Sequence, residues 1–397
     1  MFENATCSTT SGRSKTAYVE PIGILYVSPL PPPEGGISVW TATLMRRGLP
    51  PPFKSWVVNT GLRQREIDRP TRLSFTEIRR SVSILCDLYR QIQSRNPAIV
   101  HINCSLSPVG VFRDWICALI ARSQHVPYLV HLRGNLVVPD STGLKARATR
   151  WVYRSMLRGA SAILTLNKSS YSAVLQLGDL AHKVATLPNF VDSSTPTTDV
   201  DCADKNRPLQ VAYVGSLSQQ KGLLTILCVA QNVERVEFRL VGEPRMGDCQ
   251  HVEVCPYVAL HLERLLVERG IQDKVKLEGP LANNEARAVL READVYIFPS
   301  VTEGFPISVA EAMVAGLPVI ASNVGAIPDM IDTPLGGYII PWDDTEAYTK
   351  ALVRLRDDAE LRSKMGLHNQ QKAKQEYDFP KVIVQLCDVY YRILERI

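Results

Sequence analysis

The segment SVTEGFPISVAEAMVAGLPVIASNVG (Ser300–Gly325) predicts the end of a strand, a loop, a helix and a further strand. Pro306 suits the opening turn of that helix, because proline lacks an N–H group that would have no partner there. The N–H groups of Ile307, Ser308 and Val309 would then point out of the helix end, with the positive end of the helix dipole behind them. This arrangement predicts an anion site suited to phosphate.

Two glutamates flank the predicted anion site. Glu311 follows Ser308 by three residues, so it lies on the same helix face and one turn deeper. A carboxylate there can accept hydrogen bonds from two adjacent hydroxyl groups, such as those of a ribose. Glu303, in the loop before the helix, can reach a sugar on the other side of the phosphate. A helix cap with two solvated glutamates is the alternative, but the position after an apolar strand, with Gly304 and Gly316, favours a functional site.

Apolar runs alternate with helical patterns on both sides of this segment. In the N-terminal half the runs are Ile22–Ser28, Ala98–Ile102, Tyr128–Leu132 and Ala162–Leu166, with a helix at Asp114–Arg122. After linker-like sequence at Val191–Pro208, they are Leu209–Gly215, Val236–Gly242, Val275–Gly279, Val295–Ser300 and Pro318–Ser322. The alternation predicts an α/β protein with two doubly wound domains, 19–195 and 208–380, after a flexible N-terminus at 1–18. Ligands of such sheets bind beyond the carboxyl ends of the strands, so we expect a cleft between the domains.

Composition limits the class of protein. The chain of 397 residues is 45% hydrophobic and 21% charged, which excludes a disordered polymer, a fibrous repeat and a polytopic membrane protein. Nine scattered cysteines and the lack of a secretory-signal pattern predict a cytoplasmic enzyme. Residues 1–200 hold 23 basic and 12 acidic side chains, whereas residues 201–397 hold 22 and 28. The basic half predicts an anionic partner, such as a membrane surface, a phosphorylated acceptor or nucleic acid.

Three further segments carry candidate ligand-binding residues. Lys221, in YVGSLSQQKGLLTIL, stands at the entry of a helix and can place a point charge on a diphosphate, although a surface lysine would give the same pattern. Gly35 and Gly36, in PPPEGGISVW, let the backbone approach a ligand closely, but the segment is not a Gly-x-Gly-x-x-Gly fingerprint. His131, in VHLRGN, could bond a sugar hydroxyl or a developing charge, or be a structural histidine.

Two patterns resemble metal sites only weakly. Asp199 and Asp201 form an Asp-x-Asp pair, but the pair lies in the linker rather than at a strand end. Cysteine and histidine ligands also occur close together, at Cys249, His251, Cys255 and His261. Their spacing matches no common structural zinc motif, so we expect no metal at either place.

Together these segments resemble the GT4 family of retaining glycosyltransferases. That family has the GT-B architecture, in which two Rossmann-like domains face each other across a cleft. The resemblance is most specific in Val275–Ile331 and looser in the N-terminal half. It implies a nucleotide-sugar donor (a UDP- or GDP-sugar), a glycan or lipid-linked acceptor, and no metal or other cofactor. In relatives the last helix returns to the first domain, which fits the amphipathic pattern at Lys381–Ile397.

Carried over by position, the resemblance assigns roles to residues. Glu303 would face the donor sugar, His131 would lie near the anomeric carbon, and Lys221 would hold the diphosphate, so these three are the candidate catalytic residues. The donor contacts would be Gly35, Gly36, Ser216, Lys221, Pro280, Leu281, Gly304, Phe305, Pro306, Ile307, Ser308, Val309 and Glu311. Ser216 stands where many relatives have arginine, and Asn189 and Asp192 match a family segment in which Phe190 replaces glycine.

The resemblance implies retaining transfer through an oxocarbenium-like state, with Lys221 and the helix N-terminus stabilising the leaving group. The alternatives are a nucleotide-sugar epimerase, a phosphorylase and a non-catalytic scaffold of the same fold.

Two sets of arginines stand out in the N-terminal half. One set recurs at three- and four-residue steps, at Arg147, Arg150, Arg154 and Arg158, and the other forms a basic stretch at Arg63, Arg65, Arg69, Arg72, Arg79 and Arg80. They predict either a solvated basic face or a peripheral contact with the anionic inner face of the cell membrane. We expect no nucleic-acid partner.

Overall fold

The computed structural model of the chain describes residues 21–32, 35–61, 75–104, 106–136, 143–193, 207–244 and 261–396. The predictions for the N-terminus (1–18), for most of the linker (194–206) and for Arg63, Arg65, Arg69 and Arg72 concern residues outside these ranges. The described residues contain two parallel sheets of six strands each. This confirms the expected fold class, an α/β protein with two doubly wound domains.

The first sheet lies in the N-terminal half. It contains β1 (Ile22–Ser28), β2 (Phe53–Asn59), β3 (Ile99–Cys104), β4 (Tyr128–Leu132), β5 (Ala162–Thr165) and β6 (Val184–Thr186), in the order β2-β1-β3-β4-β5-β6. The four predicted strands are present to within two residues at each end. The sequence did not predict β2, which mixes polar with apolar residues at the sheet edge, or β6, which has only three residues.

The second sheet follows the linker. It contains β7 (Leu209–Val214), β8 (Val236–Val241), β9 (Val275–Gly279), β10 (Val295–Phe298), β11 (Val319–Ser322) and β12 (Gly337–Ile340), in the order β12-β11-β10-β7-β8-β9. The sequence predicted five of these strands. It missed β12, a four-residue edge strand whose half-buried centre gives little apolar signal.

Helices cover both sheets. Those of the N-terminal half are α1 (Gly36–Arg47), α2 (Phe75–Arg95), α3 (Pro108–Ser123), α4 (Leu144–Gly159) and α5 (Lys168–Leu175). The remainder are α6 (Leu223–Asn232), α7 (Leu262–Glu268), α8 (Asn283–Glu292), α9 (Ile307–Val314), α10 (Ile327–Met330), α11 (Thr345–Asp357), α12 (Ala359–Glu376) and α13 (Phe379–Leu394). None of these described helices has the combined length and apolar character of a membrane span.

The last helix, α13, packs on the first sheet rather than the second. Its apolar face joins the core formed by β1, β3 and α1. The Tyr390 hydroxyl lies 2.6 Å from the Tyr26 hydroxyl and 2.7 Å from His101 Nδ1, so a buried polar chain fixes the helix to two strands. Before α13, the chain crosses beside the earlier crossing at Val191. The Val191 amide donates to the Tyr377 carbonyl (2.8 Å), and the Phe379 amide donates to the Val191 carbonyl (3.0 Å).

The two domains meet at the carboxyl ends of their strands, where the sequence predicted a cleft. Asn167 Nδ2, after β5, donates to the Gly304 carbonyl at 2.8 Å. Asn189 Nδ2 donates to the Phe305 carbonyl at 3.3 Å. A Cβ on Gly304 would lie only 2.8 Å from the Gly134 Cα of the other domain. The loop before α9 therefore touches the first domain backbone to backbone.

Candidate functional site

Helix α9 presents free amide groups at the edge of the second domain. It begins at Ile307 with Pro306 as the N-cap, so the helix starts one residue later than the sequence predicted. The Ala310 amide is the first to reach back to a carbonyl, that of Pro306, at 3.4 Å. The N–H groups of Ile307, Ser308 and Val309 therefore have no acceptor inside the helix. Three such groups at the positive end of a helix have the geometry that binds anions.

Glu303 and Lys221 form an ion pair beside this helix end. Lys221 Nζ lies 2.5 Å from Glu303 Oε1, and the glutamate side chain is only 9% exposed. Gly222 has a φ of +74°, and a Cβ there would lie 2.0 Å from the Pro299 carbonyl oxygen. The turn that carries Lys221 lies directly against the end of β10, and for that reason only glycine fits at position 222. The fold thus brings together two of the three predicted catalytic residues.

Glu311, one turn into α9, is bound by Arg287 of α8. Arg287 Nη2 lies 3.0 Å and Nε 3.1 Å from Glu311 Oε1. Burial raises the pKa of Glu311, and the nearby guanidinium opposes that shift. The sequence did not predict this contact, because the two residues lie on separate helices with no shared pattern. The contact holds the carboxylate through Oε1 and leaves Oε2 for hydroxyl groups of a ligand.

A cleft of about 500 Å³ separates the domains next to α9. It is lined by Trp40, Arg46 and Phe190 of the first domain and by Asn283, Arg287 and Glu311 of the second. Gly35 is the N-cap of α1 and Gly36 its first residue. A Cβ on Gly36 would lie 4.0 Å from Ile307 Cδ1, so the starts of α1 and α9 face each other across the cleft.

The other predicted ligand-contact residues follow strands of the second sheet. Ser216 comes after β7, and Pro280 and Leu281 lie between β9 and α8. Gly304 and Phe305 lie in the loop after β10, and both of their carbonyl groups accept hydrogen bonds from the first domain. All five positions are therefore at the carboxyl edge of the sheet, which is the edge that faces the cleft.

His131 lies fully buried in β4, in contact with α1. The edge of the Trp40 ring packs against its imidazole with ring centroids 5.9 Å apart. Burial lowers the pKa of His131 well below its ordinary value, and the charge of Arg133 lowers it further. The imidazole is therefore neutral at physiological pH. A neutral imidazole keeps one N–H donor and one acceptor nitrogen, but it lacks the second, acidic proton of the charged form.

Arg133 belongs to the same cluster, although no sequence pattern predicted a role for it. Its Nη1 lies 3.2 Å from His131 Nε2, and its Nη2 donates to Asn189 Oδ1 at 2.7 Å. The guanidinium carbon lies 4.3 Å from the centroid of the Trp40 ring. The signal that could have identified it is its position, since it follows His131 by two residues on the same face of the chain and just beyond a strand end.

The weak metal patterns fall mostly outside the described residues. Asp199, Asp201, Cys249, His251 and Cys255 are all beyond the described ranges. Within those ranges, no three histidine, cysteine, aspartate or glutamate side chains are arranged to hold a metal ion.

Comparison with known proteins gives two family matches and related enzymes. The model named "Glycosyl transferase 4-like domain" matches residues 32–189, and "Glycosyl transferases group 1" matches residues 208–358. The alpha-D-kanosaminyltransferase of Streptomyces kanamyceticus is 26% identical over 322 residues, covering 77% of this chain and 79% of that protein. The UDP-Gal:alpha-D-GlcNAc-diphosphoundecaprenol alpha-1,3-galactosyltransferase of Escherichia coli is 23% identical over 337 residues, covering 81% and 82%.

A solved structure shares the fold. The crystal structure of Anabaena Alr3699/HepE in complex with UDP-glucose superposes with a TM-score of 0.68 at 15% identity, covering 93% of this chain and 99% of that one. The two family models together cover the whole second sheet and every strand of the first sheet except β1. The chain therefore belongs to the group 1 glycosyltransferases and is a glycosyltransferase with the two-domain GT-B fold.

Proposed function

We propose that the enzyme transfers a sugar from a nucleotide-sugar donor to a glycan or lipid-linked acceptor, with retention of configuration and without a metal ion. The observation that carries this proposal is the N-terminus of α9, where three free amides lie between Glu303 and Glu311 at the cleft. That order matches the sugar, diphosphate and ribose of a nucleotide sugar. Two comparisons support it: the E. coli relative is named for UDP-Gal and a diphosphoundecaprenol, and the Anabaena structure holds UDP-glucose.

The diphosphate would bind at the start of α9, with Lys221 as its second source of positive charge. Lys221 now lies against Glu303, so an arriving diphosphate would share the ammonium group with that carboxylate. Amides and an ammonium group fixed in place before the reaction stabilise a departing diphosphate without reorganisation, typically by a few kcal/mol per donor. This positive charge performs the task for which other enzymes use a bound cation, and it is the reason that we propose a metal-independent reaction.

The ribose would bind at Glu311. A ribose presents two adjacent hydroxyl groups, and an ionised carboxylate accepts hydrogen bonds from both. Arg287 favours the ionised form of Glu311 and opposes the effect of burial. The base would then lie towards the start of α8, beside the backbone of Pro280 and Leu281. Backbone contacts of that kind hold a base but do not discriminate between bases, so UDP- and GDP-sugars both fit.

The donor sugar would lie between Glu303 and His131. A neutral His131 can hydrogen-bond a sugar hydroxyl, and Glu303 can stabilise the positive charge that develops on an oxocarbenium-like ring. The bond from the anomeric carbon to the diphosphate breaks on the face that Lys221 and α9 bind. An acceptor hydroxyl would form the new glycosidic bond on that same face and pass its proton to the departing diphosphate. Transfer on that face retains the anomeric configuration.

Thermal stability in the presence of UDP-, GDP-, ADP- and dTDP-sugars tests the donor proposal, because a ligand that binds the folded state raises its melting temperature. We expect sugars of one nucleotide class to raise the melting temperature. Glu311→Gln should reduce that rise, whereas the control Glu263→Gln, at an exposed residue of α7, should leave it unchanged. Proton NMR of the product would then give the anomeric configuration, and addition of EDTA would test the metal independence. A product with inverted configuration, or activity abolished by EDTA and restored by a divalent cation, would contradict the respective part of the proposal.

We further propose that the first domain contacts an anionic membrane surface through α3 and α4. Trp151 is 58% exposed and Phe112 is 53% exposed, and each packs against Trp115 with ring centroids 5.3 and 5.4 Å apart. Arg147 and Arg154 lie one turn to either side of Trp151 on the exposed face of α4. Aromatic rings flanked by arginines suit the interface between lipid headgroups and acyl chains.

Co-sedimentation with vesicles tests this contact. We expect binding to vesicles of phosphatidylglycerol and phosphatidylcholine but not to phosphatidylcholine alone, with loss of binding as salt screens the arginines. Trp151→Ser should weaken the binding, whereas Val267→Ser, at an exposed residue on α7 of the other domain, should not. Equal binding to both kinds of vesicle would contradict the electrostatic part of the proposal.

A further inference from the structure

Arg133 is a buried cation that has no anionic partner among the residues that the structure describes. Its side chain is only 7% exposed, and no carboxylate among the described residues lies within ion-pair distance. Arg113, which is 8% exposed, shows the usual arrangement, because its guanidinium lies 2.7 Å from Asp114. Arg133 instead contacts two neutral acceptors, His131 and Asn189. Its Nε–H is buried and has no hydrogen-bond partner in the described parts of the chain.

Such an arrangement disfavours the folded state unless something compensates for it. Removing a charge from water costs several kcal/mol in a protein interior, and an ion pair normally offsets that cost. Burial lowers the pKa of Arg133 to about 9, which still leaves the side chain cationic at neutral pH. An anion that enters with a ligand would supply the missing partner and would use the free Nε–H donor.

The position of Arg133 indicates the anion that it would meet. Asn189 accepts from the guanidinium and donates to the Phe305 carbonyl, so one side chain connects Arg133 to the residue before the α9 N-cap. The Trp40 ring, beneath the guanidinium, lines the cleft on which α9 opens. Arg133 therefore lies behind the Trp40 side of the cleft and is connected through Asn189 to the start of α9.

We propose that Arg133 binds a phosphoryl group in the cleft, as the contribution of the first domain to anion binding. The inference rests on the proposed function and adds to it a residue that the resemblance does not assign. A guanidinium presents a planar fork of donors that matches phosphate oxygens, and its Nε–H is the free member of that fork. The phosphoryl group belongs either to the diphosphate of the donor or to a phosphorylated acceptor.

Ligand binding measured by calorimetry and thermal shift distinguishes the two sources. The probes are inorganic pyrophosphate and UDP for the donor, and glucose 1-phosphate added to UDP-saturated enzyme for the acceptor. We expect Arg133→Met to weaken binding of one of these sources by about 10- to 100-fold, as for loss of a charged hydrogen bond. Arg133→Lys should recover part of the affinity, because it restores the charge without the fork. Arg90→Met, at an exposed arginine of α2 that does not line the cleft, should change affinity by less than about twofold.

The outcomes separate this inference from the function on which it rests. Weaker binding of pyrophosphate and UDP assigns Arg133 to the donor, and weaker binding of glucose 1-phosphate alone assigns it to the acceptor. If the wild-type enzyme binds these probes and Arg133→Met and Arg133→Lys bind them equally well, the inference is wrong and the proposed function stands. If the wild-type enzyme binds none of them and none of the nucleotide sugars of the thermal-shift panel, the proposed function itself is contradicted.

Discussion

Replacing Gly304 by alanine tests whether the domains must approach as closely as they do here. The new Cβ would lie 2.8 Å from the Gly134 Cα and 3.4 Å from the Arg133 carbonyl oxygen, both of which are backbone atoms that cannot rotate away. An ordinary contact begins at 3.4 Å, so the two loops would have to separate by about 0.6 Å. A misplacement near 1 Å can reduce a rate by about 100-fold, so we expect kcat/KM to fall by about 10- to 100-fold.

Gly143→Ala provides the matched control for this experiment. Gly143 is also a loop glycine of the first domain, and a Cβ there would meet nothing within 4 Å. Both variants would be assayed for nucleotide release with the donor that the thermal-shift panel identifies. Far-ultraviolet circular dichroism would check that each variant is folded. If Gly304→Ala keeps kcat/KM within about twofold of Gly143→Ala, close contact of the domains at this point is not required for transfer.

Three further predictions follow from single contacts. Lys221→Ala should abolish measurable turnover, whereas Ser216→Ala should leave it detectable, and equal loss in both would contradict the charge assigned to Lys221. Because burial raises the pKa of Glu311, this carboxylate takes up its proton at a higher pH than an exposed glutamate, so nucleotide affinity measured by calorimetry should weaken on mild acidification. Glu311→Gln should bind more weakly and lose that pH dependence, and an unchanged pH profile would contradict the assignment. Tyr390→Phe should destabilise the protein by about 1–3 kcal/mol in denaturant titrations, since it leaves buried partners unsatisfied, while Tyr391→Phe, at a 41% exposed ring, should have little effect.

Local sequence patterns predicted the parts of the fold that depend on local physics. Continuous apolar runs identified the central strands because both faces of a parallel sheet are buried. The same rule failed for β2, because an edge strand is partly exposed and can contain polar residues. It also failed for β6 and β12, which are too short to give a pattern. The N-terminus of α9 was predictable because proline and the first helical amides occupy consecutive residues.

The contacts that tune the site were not predictable from the sequence. Lys221 and Glu303 are 82 residues apart, and their ion pair depends on how the turn at Gly222 meets strand β10. Arg287 reaches Glu311 only because α8 and α9 pack side by side. Arg133 carries no sequence signal of burial, since arginine is normally exposed. Only the packing of Trp40 and Asn189 around it shows that its charge is enclosed.

The return of α13 means that the polypeptide passes twice between the domains, and that the described start of the first passage, at Val191, lies beside the second. The hydrogen bonds that join Val191 to Tyr377 and Phe379 fasten these passages to each other. Two connections at one place hold the domains together there. We therefore expect the cleft to open by rotation about this place. A polypeptide cut after Glu376 would lose the outer cover of its first sheet together with one of the two connections.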